Sequence, residues 1–256
     1  MAVARFFILL LCLAPALTLA VEKFTYRVVD KLPQSRDNFV QGLQIIDDHL
    51  YVSTGNYGKS HLLRYQFPEG TLLTSRKLHP RIFAEGLTVL GDRVYQLTWR
   101  NRAMLVYERE QLELLHSFPI PGEGWGMTSD GQQLIYSDGS DKLHFLSPQS
   151  GRIEHSISVR EEGRPLHRLN ELEWVEGALW ANVWQSNRVV IINPRSGEVT
   201  GSIDLNGLLP GNERRSGTDV LNGIARNPAD GGIWVTGKRW PWLYRIEVLP
   251  KGADLP

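Results

Sequence analysis

The chain has 256 residues, of which 42% are hydrophobic, and 28 Lys and Arg balance 28 Asp and Glu. This balance favours no polyionic partner, whereas a nucleic-acid-binding protein usually carries an excess of basic residues on one face. The length is sufficient for a domain held together by its own hydrophobic core.

The first predicted element is a secretory signal peptide over residues 1–20. Arg5 precedes the apolar run from Phe6 to Ala20, which ends in the small residues of a cleavage site. The run is shorter than the ~20 residues of a membrane span, so we prefer this interpretation to an N-terminal membrane anchor. The single cysteine, Cys12, lies in this segment, so a mature chain beginning near Val21 has no disulfide. We expect a secreted or periplasmic monomer, free of the membrane after cleavage.

After this segment a short phrase recurs five times, at intervals of ~40 to 50 residues, which is the size of one four-stranded propeller blade. Each copy is followed by a turn and a strand that contains an aromatic or similar residue, as in Leu50-Tyr51-Val52. The copies begin at Gln41, Glu85, Trp125, Asn170 and Asn222.

Short, evenly spaced strands without a long amphipathic helical period predict an all-β fold. Five units of this size predict a five-bladed β-propeller that occupies residues 21–256 as a single domain. We expect the N-terminal strand at residues 24–29 to pair with the C-terminal strand at residues 243–248, which closes the ring and removes open sheet edges. The alternative fold is a β-sandwich or jelly roll.

The repeat also predicts the position of a functional site. In a propeller the first residues of the five phrases surround one channel, and here they are one acid, three amides and one indole, which is the composition of a pocket. The turn after the following strand brings further residues to the same mouth. These residues are Trp99, Asp138, Trp184 and Lys238.

The chain contains eight tryptophans, and several fall in these turns. Loop tryptophans at one end of a scaffold favour a ligand cleft, so Trp99, Trp125 and Trp184 are pocket candidates. Trp180 and Trp234 occupy strand positions and are predicted to be core residues. The alternative for each pocket tryptophan is packing between blades.

The pocket residues favour proton transfer combined with polarisation of a carbonyl group. The seven histidines are scattered, without metal-ligand spacing, so a catalytic zinc is not predicted. A carboxylate walled by indoles has its pKa raised by desolvation, which suits Glu85 to act as base and then as acid. The alternative for Glu85 is a structural role, in which it accepts backbone N–H bonds. That structural role is the one we expect for Glu171, and Glu123 is a weaker acidic candidate.

The phrases themselves, in this order, resemble the plant and bacterial type of glutaminyl-peptide cyclotransferase over residues 24–248. The matching motifs include Asn38-Phe39-Val40-Gln41-Gly42-Leu43, Phe83-Ala84-Glu85-Gly86-Leu87-Thr88, Gly122-Glu123-Gly124-Trp125-Gly126-Met127, Leu169-Asn170-Glu171-Leu172, Asn182-Val183-Trp184 and Leu221-Asn222-Gly223-Ile224. The resemblance implies a secreted five-bladed propeller that converts the N-terminal glutamine of peptides and proteins to pyroglutamate, releases ammonia and uses no zinc.

The resemblance further implies a role for each pocket residue. Glu85 would be the proton shuttle. The residues implied to bind the substrate are Phe39, Gln41, Trp99, Trp125, Asn170, Trp184 and Lys238. Which of Gln41, Asn170 and Lys238 would stabilise the developing oxyanion is not assigned by the sequence.

Three matters stay open at the level of sequence. No catalytic cofactor is expected, but a structural calcium ion held by backbone carbonyls in the channel is compatible with the sequence. The alternative functions are a propeller that only binds a ligand and a lactonase-type hydrolase, which needs a metal held by several acidic or Asn ligands. The segment from Gly207 to Asp219 is interpreted as an inserted loop that gates or selects peptides, or else as a solvated loop without a role.

Overall fold

The computed structural model describes residues 20–252. Apart from one short 3-10 helix, Gly211–Glu213, its regular elements are all strands, so the all-β prediction is confirmed. Within this range no helix has the length and apolar character needed to span a membrane. The predicted signal peptide lies outside the described residues except for its last residue, and it stays a prediction.

The strands follow in chain order from β1 (Glu22–Pro33), and the next twelve form three antiparallel four-stranded sheets. The first sheet contains β2 (Val40–Ile46), β3 (His49–Thr54), β4 (His61–Gln66) and β5 (Leu72–Lys77). The second contains β6 (Ala84–Leu90), β7 (Arg93–Thr98), β8 (Ala103–Glu108) and β9 (Leu114–Pro119). The third contains β10 (Met127–Ser129), β11 (Leu134–Ser137), β12 (Lys142–Leu146) and β13 (Ile153–Ser158).

The rest of the chain forms a hairpin and one eight-stranded sheet. The hairpin consists of β14 (Arg160–Glu161) and β15 (Arg164–Pro165). A fourth group of strands contains β16 (Leu169–Val175), β17 (Ala178–Val183), β18 (Arg188–Ile192) and β19 (Val199–Asp204). A fifth group contains β20 (Leu221–Arg226), β21 (Ile233–Gly237) and β22 (Trp242–Pro250), with β1 as its outer strand.

The two ends of the chain meet in this last group. Strand β1 pairs antiparallel with β22, in a register that places Thr25 opposite Leu249, so the predicted pairing of the N- and C-terminal strands is present. The first residues of β1 also pair in parallel with β19, where Glu22 lies opposite Gly201. This second pairing was not predicted, and it joins the fourth and fifth groups into one sheet.

The first strands of the five groups contact one another in a cycle: β2 contacts β6, β6 contacts β10, β10 contacts β16, β16 contacts β20, and β20 contacts β2. The glycines of the repeated phrase allow this approach. A Cβ added to Gly86 would lie 2.4 Å from the backbone nitrogen of Met127, and one added to Gly126 would lie 1.9 Å from the carbonyl oxygen of Asn170. The phrase therefore contains glycine because neighbouring backbones pass too closely for a side chain.

The fourth phrase has Glu171 where the others have glycine, and its side chain is fully buried. Its carboxylate accepts hydrogen bonds from the backbone nitrogens of Leu43, at 3.3 Å, and Ile224, at 2.8 Å. Glu171 thus links three of the central strands, which confirms the structural hydrogen bonding predicted for it.

The hydrophobic core consists of clusters between neighbouring groups of strands. One cluster brings Trp180 of the fourth group together with Ile224 of the fifth, and another brings Trp234 of the fifth together with Leu43 of the first. Both tryptophans are buried, as predicted. Packing between sheets on every side holds the five central strands, and with them the start of each repeated phrase, in fixed positions.

Candidate active site

A cavity of about 420 Å³ opens where the central strands begin. All eight residues that the sequence singled out as site residues line it, although their roles stay predictions. The complete lining consists of Phe39, Gln41, Asn56, Phe83, Glu85, Trp99, Trp125, Asn170, Trp184, Gln185, Asp219, Val220 and Lys238.

The fold explains why these residues converge. Gln41, Glu85 and Asn170 are the second residues of β2, β6 and β16, so they lie at the same level of the central strands. Trp99 and Trp184 directly follow the antiparallel partners of β6 and β16, and therefore return to the same end.

Two residues expected near the cavity lie elsewhere. Asn222 occupies the ring position in β20 but does not line the cavity. Its Nδ2 donates to the carbonyl oxygen of Val40, at 3.0 Å, and to Oε1 of Gln41, at 3.3 Å, so it orients Gln41. Asp138 also lies away from the lining, because its carboxylate is bonded to Ser140 and lies 3.2 Å from Nε2 of His144.

Glu85 is the acidic group of the cavity wall that is most deeply buried, with 5% of its surface exposed. Burial raises the pKa of its carboxyl well above the usual value of 4.5, Lys238 opposes this shift, and Glu123 adds to it. Within residues 20–252 its carboxylate accepts no backbone hydrogen bond of the kind that a structural role requires.

Two other buried carboxylates, those of Glu171 and Glu173, differ from Glu85 in their hydrogen bonds to the backbone. Glu171 accepts two backbone hydrogen bonds, and Glu173 accepts one from the backbone nitrogen of Arg226 at 2.8 Å. Neither residue lines the cavity. Among these three carboxylates, Glu85 is the one that lines the cavity.

Lys238 is the buried cation of the same cavity, with 5% exposure. Burial lowers the pKa of its ammonium group, whereas the charges of Glu85 and Asp219 oppose that shift. Its Nζ lies 5.0 Å from the centre of the Phe39 ring. Burial thus favours the neutral forms of both Glu85 and Lys238, while their mutual attraction favours the charged forms.

Aromatic rings form the sides of the cavity. The rings of Trp125 and Trp184 meet edge to face with their centres 5.5 Å apart, and Phe83 contacts Trp99 in the same way at 5.5 Å. Gly139 lies so close to the Trp125 ring that an added Cβ would approach it to 2.6 Å. The walls are therefore fixed by packing and present apolar surface to a bound molecule.

The sequence interpretation missed five lining residues: Asn56, Phe83, Gln185, Asp219 and Val220. A signal for two of them was present. Phe83 and Val220 stand two residues before Glu85 and Asn222, the same offset that separates Phe39 from Gln41. Because side chains alternate along a strand, residues two apart face the same side, and this offset could have been extended to every repeat.

The comparison with known proteins identifies the family. The sequence profile of a family described as glutamine cyclotransferase matches residues 3–248. The chain belongs to this enzyme family. A glutaminyl-peptide cyclotransferase of Arabidopsis thaliana is 38% identical over 232 residues, which cover 88% of this chain and 72% of the plant protein. The resemblance found in the repeated phrases is thereby confirmed.

Solved structures also resemble this one. The crystal structure of Myxococcus xanthus glutaminyl cyclase matches with a TM-score of 0.83 and 30% identity, over 90% of this chain and 99% of that one. The WD40 β-propeller domain of Doa1 matches with a TM-score of 0.52 and 10% identity, over 81% of this chain and 63% of that one. The second likeness concerns the fold alone.

Within residues 20–252, no group of three or more His, Cys, Asp or Glu side chains is placed to hold a metal ion.

Proposed function

We propose that this protein is a glutaminyl-peptide cyclotransferase, which converts the N-terminal glutamine of peptides and proteins to pyroglutamate and releases ammonia. Family membership and the 38% identical plant relative of that name support the activity. The observation that carries the mechanism is the buried carboxylate of Glu85, which lines the cavity without the backbone hydrogen bonds of a structural acid.

Glu85 acts first as base and then as acid. Its carboxylate removes a proton from the α-amino group, and the nitrogen lone pair attacks the side-chain amide carbon of the same glutamine. A new C–N bond closes the five-membered ring, and the carbonyl oxygen gains negative charge. The protonated Glu85 then gives its proton to the side-chain amide nitrogen. The original bond between this nitrogen and the amide carbon breaks, and ammonia leaves. The raised pKa of Glu85 suits both steps near neutral pH.

The developing negative charge needs a hydrogen-bond donor in the cavity. Gln41, Asn170 and Lys238 each supply an N–H group at its wall, and any of them stabilises an oxyanion more strongly in this buried setting than in water. Asn222 takes no part in the chemistry, but its bond to Oε1 of Gln41 leaves the Nε2 group of Gln41 as the donor.

The aromatic walls supply positioning. The reaction joins two ends of one residue, so its rate depends on holding the glutamine side chain curled, with the amine close to the amide carbon. Phe39, Trp99, Trp125 and Trp184 line the cavity of about 420 Å³ and hold the side chain in that shape. The same rings exclude water from Glu85 and so maintain its raised pKa.

The finer features of the fold belong to the same proposal. The five groups of strands are the blades of a β-propeller, supported by the closed cycle of contacts from β2 to β20. Residues 21–256 form its single domain, and residues 1–20 are a signal peptide that directs a monomer to the periplasm or outside the cell. Catalysis uses side-chain acid and base chemistry and requires no metal.

The activity is tested with the protein starting at Val21 and a peptide with N-terminal glutamine. We expect release of one ammonia per peptide and the corresponding loss of mass, at a rate far above spontaneous cyclisation, and unchanged after treatment with a chelator. A peptide with N-terminal asparagine is the matched control, since its shorter side chain cannot close the same ring. No ammonia above the blank would refute the enzyme, and loss of activity on chelation would refute metal independence.

A further inference from the structure

A second and larger cavity, of about 660 Å³, lies beside the candidate active site. We call it the basic groove, because four cations and a single acid, Asp37, line it. The cations are Arg36, Lys59, Arg215 and Arg239. The whole chain has no formal net charge, so this is a local concentration of positive charge.

The four cations are not neutralised by acidic side chains of the described residues. None of them forms an ion pair with another residue of the described range. Arg36 is held in place, since its Nη2 donates to the carbonyl oxygen of Glu213 at 2.8 Å. Its Nη1 is buried and has no hydrogen-bond partner in residues 20–252. The fixed positive charge of Arg36 therefore favours an anion in the groove, although the buried Nη1 is not exposed to it.

The basic groove and the active-site cavity share one wall. Asn56 lines both cavities. At three further places one residue faces the groove and its neighbour in the chain faces the active site. These pairs are Asn38 with Phe39, Thr218 with Asp219, and Arg239 with Lys238.

The shared wall is fixed by contacts across it. The backbone nitrogen of Arg239 donates to the carbonyl oxygen of Asn38 at 2.8 Å, and the Arg239 guanidinium lies 5.6 Å from the centre of the Phe39 ring. A peptide whose first residue occupies the active-site cavity and whose chain runs toward this wall reaches the groove within its next few residues, since each extended residue spans ~3.3 Å.

We propose that the basic groove is a substrate subsite that binds the carboxylate of an aspartate or glutamate located after the N-terminal glutamine. This inference rests on the proposed cyclotransferase function. A planar guanidinium binds a carboxylate with two parallel hydrogen bonds, and Arg215 and Arg239 provide two such groups beside the charge of Arg36. Arg215 and Thr218 belong to the loop from Gly207 to Asp219, so this loop selects peptides by charge.

The test is a positional scan of peptides that begin with glutamine and continue in alanine. Glutamate is placed at each of the second to sixth positions in turn, and glutamine or lysine replaces it in matched peptides. We expect kcat/KM for the glutamate peptide to exceed that of its glutamine counterpart about fivefold at one or two positions, as partly buried ion pairs allow. The lysine peptide should be the poorest at those positions.

The double variant Lys59→Ala/Arg215→Ala should bring the ratio of the glutamate to the glutamine peptide close to one. Arg195→Ala is the matched control, because Arg195 is exposed in a turn outside the groove, and the ratio should persist there. Thermal unfolding checks that the variants are folded. Equal kcat/KM for the glutamate and glutamine peptides at every position, or a ratio unchanged in the double variant, would overturn the subsite. If no peptide is cyclised at all, it is the proposed function that fails.

Discussion

The indole Nε1 of Trp99 donates a hydrogen bond to Oε2 of Glu123 at 2.7 Å, and the indole of Trp125 donates to the same oxygen at 3.1 Å. One carboxylate therefore fixes two walls of the cavity. Glu123 stands two residues before Trp125 in the repeated phrase, where Phe39 and Phe83 stand in two other copies. The sequence suggested Glu123 as a weak rival of Glu85, whereas the structure places it outside the cavity lining and behind the indoles.

Two substitutions of Glu123 should separate the effect of its charge on the pKa of Glu85 from the effect of its hydrogen bonds with the two indoles. Glu123→Gln keeps an oxygen that accepts from an indole but removes the charge that raises the pKa of Glu85. The acidic limb of the pH profile, where activity is lost as Glu85 becomes protonated, should move to lower pH with a small change in kcat. Glu123→Ala also loses the hydrogen bonds, so kcat/KM should fall about tenfold.

The control for this pair is Glu113→Gln, because Glu113 is exposed and distant from the cavity lining. Both profiles are measured with the same peptide, so that the titration of its amino group is common to them. An acidic limb that stays at the wild-type pH in Glu123→Gln would show that Glu123 does not influence the reacting group.

Lys238→Met should move the acidic limb of the pH profile to higher pH, opposite to the shift expected for Glu123→Gln. Lys238 is the charge that opposes the raised pKa of Glu85, so its removal raises that pKa further. Activity should then be lost at a higher pH as the pH falls. If Lys238 also stabilises the oxyanion, kcat should fall by about 10²-fold or more, and the pH profile distinguishes this loss from the shift. A limb that moves to lower pH would contradict the assigned electrostatics.

The buried pair Glu171 and Glu173 should make folding stability depend on pH. Burial raises the pKa of Glu173 from 4.5 to about 8, and burial together with Glu173 raises that of Glu171. The pKa values in the folded protein lie above those in the unfolded chain. The contribution of the two groups to the free energy of unfolding is therefore fully present below pH 4.5 and is lost as the pH rises through about 8.

We therefore expect the thermal unfolding midpoint to fall as the pH is raised across this window, and to fall less in Glu173→Gln. The glutamine keeps an acceptor for the backbone nitrogen of Arg226. A midpoint that rises with pH in the same window would refute this account. Glu113→Gln, which changes an exposed carboxylate, should follow the wild type.

Because the central strands pass so closely, a methyl group at Gly126 is expected to lower the free energy of unfolding strongly. A Cβ there would lie 1.9 Å from the carbonyl oxygen of Asn170, so Gly126→Ala must displace backbone and should destabilise the fold by about 3 kcal/mol or more. Gly211→Ala is the control, since nothing lies within 4 Å of its added Cβ. Chemical denaturation of both variants measures the difference, and equal stability would contradict the close approach of β10 and β16.

The repeated phrase made much of this site predictable. Residues at equal positions of five similar units lie at the same level of the central strands, which is why the sequence alone is enough to group Gln41, Glu85 and Asn170. Asn222 shows the limit of this argument, because its side chain turns to Gln41 and Val40 instead of the cavity. Equal positions in a repeat fix the backbone, but the local hydrogen-bond partners decide where a side chain points.

Other features depend on contacts between distant parts of the chain, which the sequence pattern does not contain. The parallel pairing of β1 with β19 joins residues 22–24 to residues 201–203. The bond from Trp99 to Glu123 likewise crosses from one sheet to the turn before the next. The four cations of the basic groove come from four segments that have no common motif, so its charge could be recognised only in the folded protein.

The central claim is that Glu85 transfers the proton during cyclisation, and Glu85→Gln tests it most directly. The substitution keeps the size of the side chain and removes its proton-accepting carboxylate. Single-turnover rates with a peptide bearing N-terminal glutamine should fall by about 10²- to 10⁴-fold, while peptide binding and the thermal unfolding midpoint stay close to the wild type. A folded Glu85→Gln variant that releases ammonia at the wild-type rate would contradict the account.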